Sequence, residues 1–324
     1  MNTSNTTVTF RPNPSLLILH AVGLVVVGLL GAVGSSITVL VIVASKPLRS
    51  PCFTLIAGGG IGSLLVALNF LSKGIYNIGF RLNIIPNELT GLICLLAHIL
   101  ALVGVTFQAQ VASLIAIDRL ISVTAPMKYR SLGKKYSMYL LIGCSAYNTI
   151  QLATAFLTAP LSSIVVCAGF PDGLHPLFMM LFSQLNLFFF VTNVLSYLAM
   201  MLSFRLRHLF SPPSNSNVQD SFMKQQLAVM PTVKLMLGLY LLTGVLAGVL
   251  IMVSLNIPQG GASISVITTS TIMKTASSLV EVIALFVRNK KFRDCFQVLV
   301  NPKQQKAKVA VISVVPSQSS KNRA

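Results

Sequence analysis

Seven apolar runs dominate this chain, at about 16–44, 53–77, 90–118, 136–160, 175–204, 231–256 and 264–287. At about 1.5 Å per residue, each is long enough to cross a hydrocarbon layer about 30 Å thick. A backbone placed there has no water to bond, so each run is expected to be helical. Gly and Pro inside several of them do not argue otherwise, because membrane helices tolerate both. Only 9% of the 324 residues are charged, against about 25% in a soluble domain. So few charges cannot coat a globule of this size, and the runs are read as spans, not as a buried core. The expected fold is an all-α membrane protein. A polar segment, 1–15, precedes a bundle of seven transmembrane helices over residues 16–288.

The loops set an orientation. Alternate connections carry Lys46 and Arg49; then Arg119, Lys128, Arg130, Lys134 and Lys135; then Arg205, Arg207, Lys224 and Lys234; then the basic stretch from Arg288 to Arg323. The other side has only Arg11 and Arg81, with Lys73 near a helix end. The basic side is expected to be cytoplasmic. That puts the N-terminus outside and the C-terminus inside a multi-pass protein of the plasma membrane. The net charge of +18 therefore belongs to the inner rim and is no nucleic-acid signal. The first 15 residues lack a basic n-region, so the first run is expected to stay as an uncleaved anchor. Asn2 and Asn5 head N-T-S and N-T-T glycosylation acceptors, whereas Asn13 is blocked by Pro14. Residues 289–299 alternate basic and apolar side chains at helical spacing, as in an amphipathic helix lying on the inner membrane surface. Residues 300–324 are expected to form a disordered cytoplasmic tail.

Charges inside the runs need a reason. The third run ends in Asp118 and Arg119, with Pro126 and a basic stretch beyond them. A simple interfacial pair would be worth about 1 kcal/mol or less. Glu281 lies within the last run, so its carboxyl must be protonated, paired or ion-bound, because burying it alone costs several kcal/mol. Lys274 sits about 15 Å into the same run, too deep to snorkel easily. The five cysteines, Cys52, Cys94, Cys144, Cys167 and Cys295, form no CxxC, and His20, His98, His175 and His208 lack ligand spacing. No metal site or cofactor is expected. There is no Ser–His–Asp pattern, and Gly58 and the two glycines after it lie in an apolar run where a phosphate loop cannot form. The chain is not expected to be an enzyme.

Seven spans, an outer N-terminus and IDRL at the foot of the third helix resemble the rhodopsin-like (class A) G-protein-coupled receptors. The resemblance covers roughly 16–299. KPLRSP at 46–51 is similar to the family's first inner loop, APMKYR at 125–130 to its P-L-x-Y, and FVRNKKFRDCF at 286–296 to the end of helix seven and the surface helix. The wording IDRLISVTAPMKYR resembles the nematode serpentine chemoreceptors. The likeness implies a receptor for an extracellular ligand that activates a heterotrimeric G protein. In it Asp118 would hold Arg119 at rest, Arg119 would be released to meet Tyr197 and the partner, and Met127, after Pro126, would insert into that partner. It also implies a disulfide between Cys94, which lies 25 residues before Arg119, and Cys167 in the second outer loop. Cys295 becomes a palmitoylation candidate.

The departures carry information too. The family's first-helix Asn reads Ser35, its second-helix Asp reads Ser63, and N-P-x-x-Y begins at Glu281. The chain holds no Trp, and the sixth-helix Pro is missing. The carboxylate has in effect moved from helix two to helix seven, and Glu281 is expected in a buried polar cluster with Ser35, Ser63, Gln108 and Ser277 that binds Na⁺ or takes up a proton. The retinal lysine of the opsins would fall on Thr275, which argues against a photoreceptor. The aminergic aspartate position reads Ala101. With Lys73, His98 and Lys274 facing the outer cavity, an anionic small molecule is the favoured ligand. Two rivals remain: a receptor-fold decoy or scaffold that no longer signals, and a transporter or channel, for which the two related halves are lacking.

Overall fold

The computed structural model describes residues 14–48, 50–82, 84, 88–132, 134–159, 164–166, 174–210, 238, 283–287 and 289–301. The sixth span and most of the seventh lie outside these residues, as do Asn2, Asn5, Cys167, Lys274, Ser277, Glu281 and the tail. Five long helices supply the first five spans: α1 (Pro14–Ala44), α2 (Pro51–Arg81), α3 (Gly91–Thr124), α5 (Lys134–Thr158) and α6 (Pro176–Phe210). All five are long and apolar enough to cross a membrane. A short helix, α4 (Pro126–Ser131), joins α3 to α5, and a last helix, α7 (Lys290–Val300), follows the helical residues 283–287.

The apolar runs became helices for the reason given above, and their outward faces stayed apolar. Leu29, Val33, Leu40, Ile142, Ile150, Leu157 and Phe188 are all more than half exposed, as side chains meeting lipid tails should be. Between helices, small residues set the spacing. A methyl added to Gly28 would stand 2.7 Å from the Leu71 backbone N, and one on Gly74 would stand 2.9 Å from the Ala21 carbonyl. On the next seam a methyl on Gly62 would meet the backbone of Gln108 at 3.0 Å, and one on Gly104 would meet the Gly62 carbonyl at 3.0 Å. These near-contacts lock α1, α2 and α3 into one antiparallel register.

The third helix is the axle, packing on α2, α5 and α6. Apolar clusters occupy its two ends. Leu95 and Leu102 meet Ala155, Phe178 and Phe182 at one end. Ala116 and Val123 meet Tyr197 and Met200 at the other. Between them, polar pairs lie beside a third apolar cluster of Leu55, Phe107 and Val111. Asn148 donates to Gln110 Oε1 at 2.9 Å, and Ser113 donates to the Phe189 carbonyl at 2.7 Å. Hydrogen bonds of this kind couple helices that have no hydrophobic force between them.

Two features differ from the sequence reading. The helix begun by the third run does not stop at Asp118 but continues to Thr124. Pro126 disfavours helical geometry at the residue before it, and the chain breaks at Ala125 (φ −133°, ψ 64°). The added feature is a ribbon: β1 (Glu88–Thr90) pairs antiparallel with β2 (Ile164–Val166), Glu88 opposite Val166. It sits at the start of α3, where Thr90 Oγ1 caps the helix by accepting from the Ile93 N–H at 3.4 Å.

The last helix, α7, is amphipathic as expected, offset by one residue from 289–299. Asn289 Oδ1 caps it through the Phe292 N–H at 3.1 Å. Phe292 is fully buried against Val41, Ile42, Leu48 and Leu285, while Lys290, Lys291 and Arg293 are exposed. Arg293 Nη1 reaches back to the Val287 carbonyl at 2.7 Å, satisfying a carbonyl that the end of the preceding helix leaves open.

Candidate functional site at the basic end of the third helix

Lys46, Lys128, Lys135, Arg205, Lys290 and Lys291 are exposed at one end of the bundle, and Asp118 and Arg119 belong to that end. Neighbours in sequence do not face one another on a helix, yet Arg119 is long enough to fold back. Its Nη2 lies 3.0 Å from Asp118 Oδ2. The Asp118 side chain is fully buried, and Arg119 keeps 22% of its side chain exposed. A buried carboxylate stripped of its partner typically costs about 3–5 kcal/mol, so this pair is held tightly in the arrangement observed.

A third group completes it. The break at Ala125 turns the chain into α4, with Pro126 in its first turn. One turn later Tyr129 faces back, its backbone N–H on the Ala125 carbonyl at 2.9 Å. Its hydroxyl donates to Asp118 Oδ2 at 3.1 Å and accepts from Arg119 Nη2 at 3.5 Å. Burial pushes the Tyr129 phenol above its ordinary range, so it stays a donor at every physiological pH. The Cys52 thiol, at the start of α2, lies against the Arg119 guanidinium. Asp118 Oδ1 and Arg119 Nε are buried with no hydrogen-bond partner. The cluster is thus closed but incompletely satisfied, as a group with a second arrangement would be.

The expected companions fall nearby. Tyr197 is buried against the α3 face formed by Ala116, Leu120 and Val123, within a turn or so of Arg119. Met127 is 78% exposed on α4, free to meet a partner. Tyr129 as the group that holds Asp118, and Cys52 beside Arg119, were not legible as site residues. The available hint was a phenol eleven residues from a charge that had to be buried.

Of the remaining candidates, Lys73 is partly buried toward the opposite end, and its charge acts on both His98 and His20. His98 and Ala101 are buried on α3. Ser35 and Ser63 are buried, with Gln108 half-buried beside Gly62. Cys94 is fully buried and disulfide-bonded, while Cys52, Cys144 and Cys295 are free. The Cys295 thiol packs against the Phe292 cluster. Among the described residues no group of three or more His, Cys, Asp or Glu could hold a metal.

A family comparison matches residues 28–300 to the serpentine type 7TM GPCR chemoreceptor Srsx. The chain belongs to that family. Its fold is accordingly the seven-helix bundle, of which the described residues supply five spans. This Srsx chain is a chemoreceptor-type membrane protein and not a member of an enzyme family. No curated protein matches it.

Proposed function

We propose that this Srsx receptor lies in the plasma membrane with its N-terminus outside and its basic end in the cytosol. It takes an anionic small molecule into the outer cavity and activates a heterotrimeric G protein at the inner mouth. One observation carries the reading: a fully buried Asp118 holds Arg119 with help from Tyr129, at the end where the exposed cations gather. That is a two-state latch, because any ligand preferring the arrangement in which Arg119 swings free shifts the population toward it. Tyr197 and the exposed Met127 are then the surfaces that meet the partner. The decisive variant is Arg119→Ala. Nucleotide exchange on the G protein should vanish while surface expression persists. Normal exchange in that variant refutes the reading.

The ligand charge is inferred from Lys73 and Lys274, with no aspartate at Ala101. A cationic amine acting as potent agonist, indifferent to Lys274→Met, would overturn it. We assign Cys167 as the partner of Cys94. The support is that three other cysteines are free and that β2 ends at Val166, one residue earlier, in register with the strand that leads into α3. Glu281 is assigned to the polar cluster of Ser35, Ser63, Gln108 and Ser277, and Glu281→Gln should change the response to sodium. The loss of N-P-x-x-Y and of the sixth-helix Pro favours one rival, a decoy or scaffold that does not signal. The exchange assay without and with ligand separates the two.

A further inference from the structure

Ser131 ends α4, the six-residue helix whose Tyr129 hydroxyl holds Asp118. It is exposed, and its Oγ donates to the Lys128 carbonyl at 2.7 Å. The Leu132 N–H meets the Tyr129 carbonyl at 3.1 Å. These two bonds close the last turn of α4, and at Leu132 the chain is already extended. A helix this short has little stability of its own, so each bond counts. The surroundings are strongly basic. Lys128 and Arg130 precede Ser131 by three residues and one, and Lys134 and Lys135 follow by three and four. No Asp or Glu occurs between Asp118 and Asp172. Lys128 and Lys135 are exposed. An exposed hydroxyl at a weak helix end, with cations on both sides, suits a kinase whose substrate groove is acidic.

We propose that Ser131 is a phosphorylation site for a basophilic serine/threonine kinase, and that its phosphate unwinds α4. The assignment rests on the cytosolic placement of this end proposed above, and it adds a covalent control to the latch. In the transfer, Ser131 Oγ bonds to the γ-phosphorus of ATP, the bridging P–O bond breaks and ADP leaves. The hydroxyl proton passes to the kinase's catalytic carboxylate. The ester oxygen then has no hydrogen to give the Lys128 carbonyl. A charge of about −1.5 to −2 stands instead against the carbonyls at the C-terminal end of α4, where the helix dipole is negative. The facing end of α5 is the opposite, with unpaired backbone N–H groups in its first turn and lysines as its first two residues. Both ends drive the phosphate the same way, out of α4 and toward α5. Tyr129 lies two residues back on the turn that is lost, so its hydroxyl leaves Asp118 Oδ2.

The test uses the full-length receptor in phosphatidylcholine nanodiscs, incubated with ATP, Mg²⁺ and the catalytic domain of protein kinase C. Peptide mass spectrometry should find phosphate on Ser131 in wild type and none at that position in Ser131→Ala. Ser131→Thr, which keeps the hydroxyl, should accept it. Lys128→Gln combined with Lys135→Gln should slow the transfer severalfold. Hydrogen exchange across 127–132 should quicken about fivefold, the worth of one hydrogen bond. Basal nucleotide exchange on the G protein should rise relative to Ser131→Ala treated alike. An unmodified Ser131 in wild type, an unchanged rate in the double lysine variant, or phosphate without faster hydrogen exchange would each overturn the assignment. Faster hydrogen exchange with unchanged nucleotide exchange leaves Ser131 its control of α4 and refutes the latch. On intact cells the phosphate should appear only when the kinase is activated in the cytosol. Labelling by kinase and ATP added outside would refute the proposed topology, and it would put Ser131 beyond the reach of any cytosolic kinase.

Discussion

Tyr129→Phe removes one hydroxyl and nothing else, and it bears directly on the latch. The lost bond is the 3.1 Å donation to Asp118 Oδ2. Hydrogen bonds to charged groups contribute about 1.5–3 kcal/mol. Asp118 is fully buried but Tyr129 only half-buried, so water can partly replace the donor and the low end, about 1.5 kcal/mol, applies. On the latch reading proposed above, the loss falls on the closed arrangement alone. A change of that size moves a two-state equilibrium about tenfold. Ligand-free nucleotide exchange, measured on purified receptor with a G protein, should therefore rise about tenfold. The ligand-stimulated maximum should not change. In an Asp118→Asn background the same substitution should add little, because the two act through one bond. Unchanged basal exchange at normal surface expression, or two simply additive effects, would refute the reasoning. The phenol also fixes a pH expectation. Its native pKa lies above the ordinary value of about 10, so the native state keeps its proton longer than the unfolded chain. Stability from this group is lost only as pH climbs past about 10, and Tyr129 should contribute no pH dependence to basal exchange between about pH 6 and 9.

Four further outcomes are expected. Gly28→Ala should cost about 2 kcal/mol and lower surface expression, because the new methyl meets Leu71 N and the Ala67 carbonyl, both backbone, at 2.7 and 2.9 Å. Gly143→Ala, with nothing within 4 Å, should be neutral or stabilise by up to about 1 kcal/mol in a thermal melt. Gln110→Leu should destabilise by about 1 kcal/mol by removing one of the two bonds that the Asn148 amide donates, the other being to the Cys144 carbonyl. Adding Asn148→Leu should recover part of that loss, since replacing both partners by apolar groups can be nearly neutral. Arg293→Ala should free the Val287 carbonyl and raise hydrogen exchange across 283–293, less than Phe292→Ala, which empties a fully buried site.

What could be foreseen along the chain divides by the kind of physics involved. The spans were legible because the cost of an unsatisfied backbone in hydrocarbon depends on composition over about twenty residues, and the five described helices start and stop close to their runs. The exceptions are α3 and α6, which run six residues past the expected 118 and 204. Nothing in LISVT breaks the α3 helix before Ala125. Asp118 and Arg119 were legible because charge at such a place is expensive. Tyr129 was not, because its role depends on the angle of a break and on a six-residue helix that no periodicity announces.

The same division explains the other end. Periodicity assigns Asn69, Lys73 and Tyr76 to one face of α2, but it does not say how far along α3 that face is slid. That offset is set where Gly62 and Gly104 let two backbones touch.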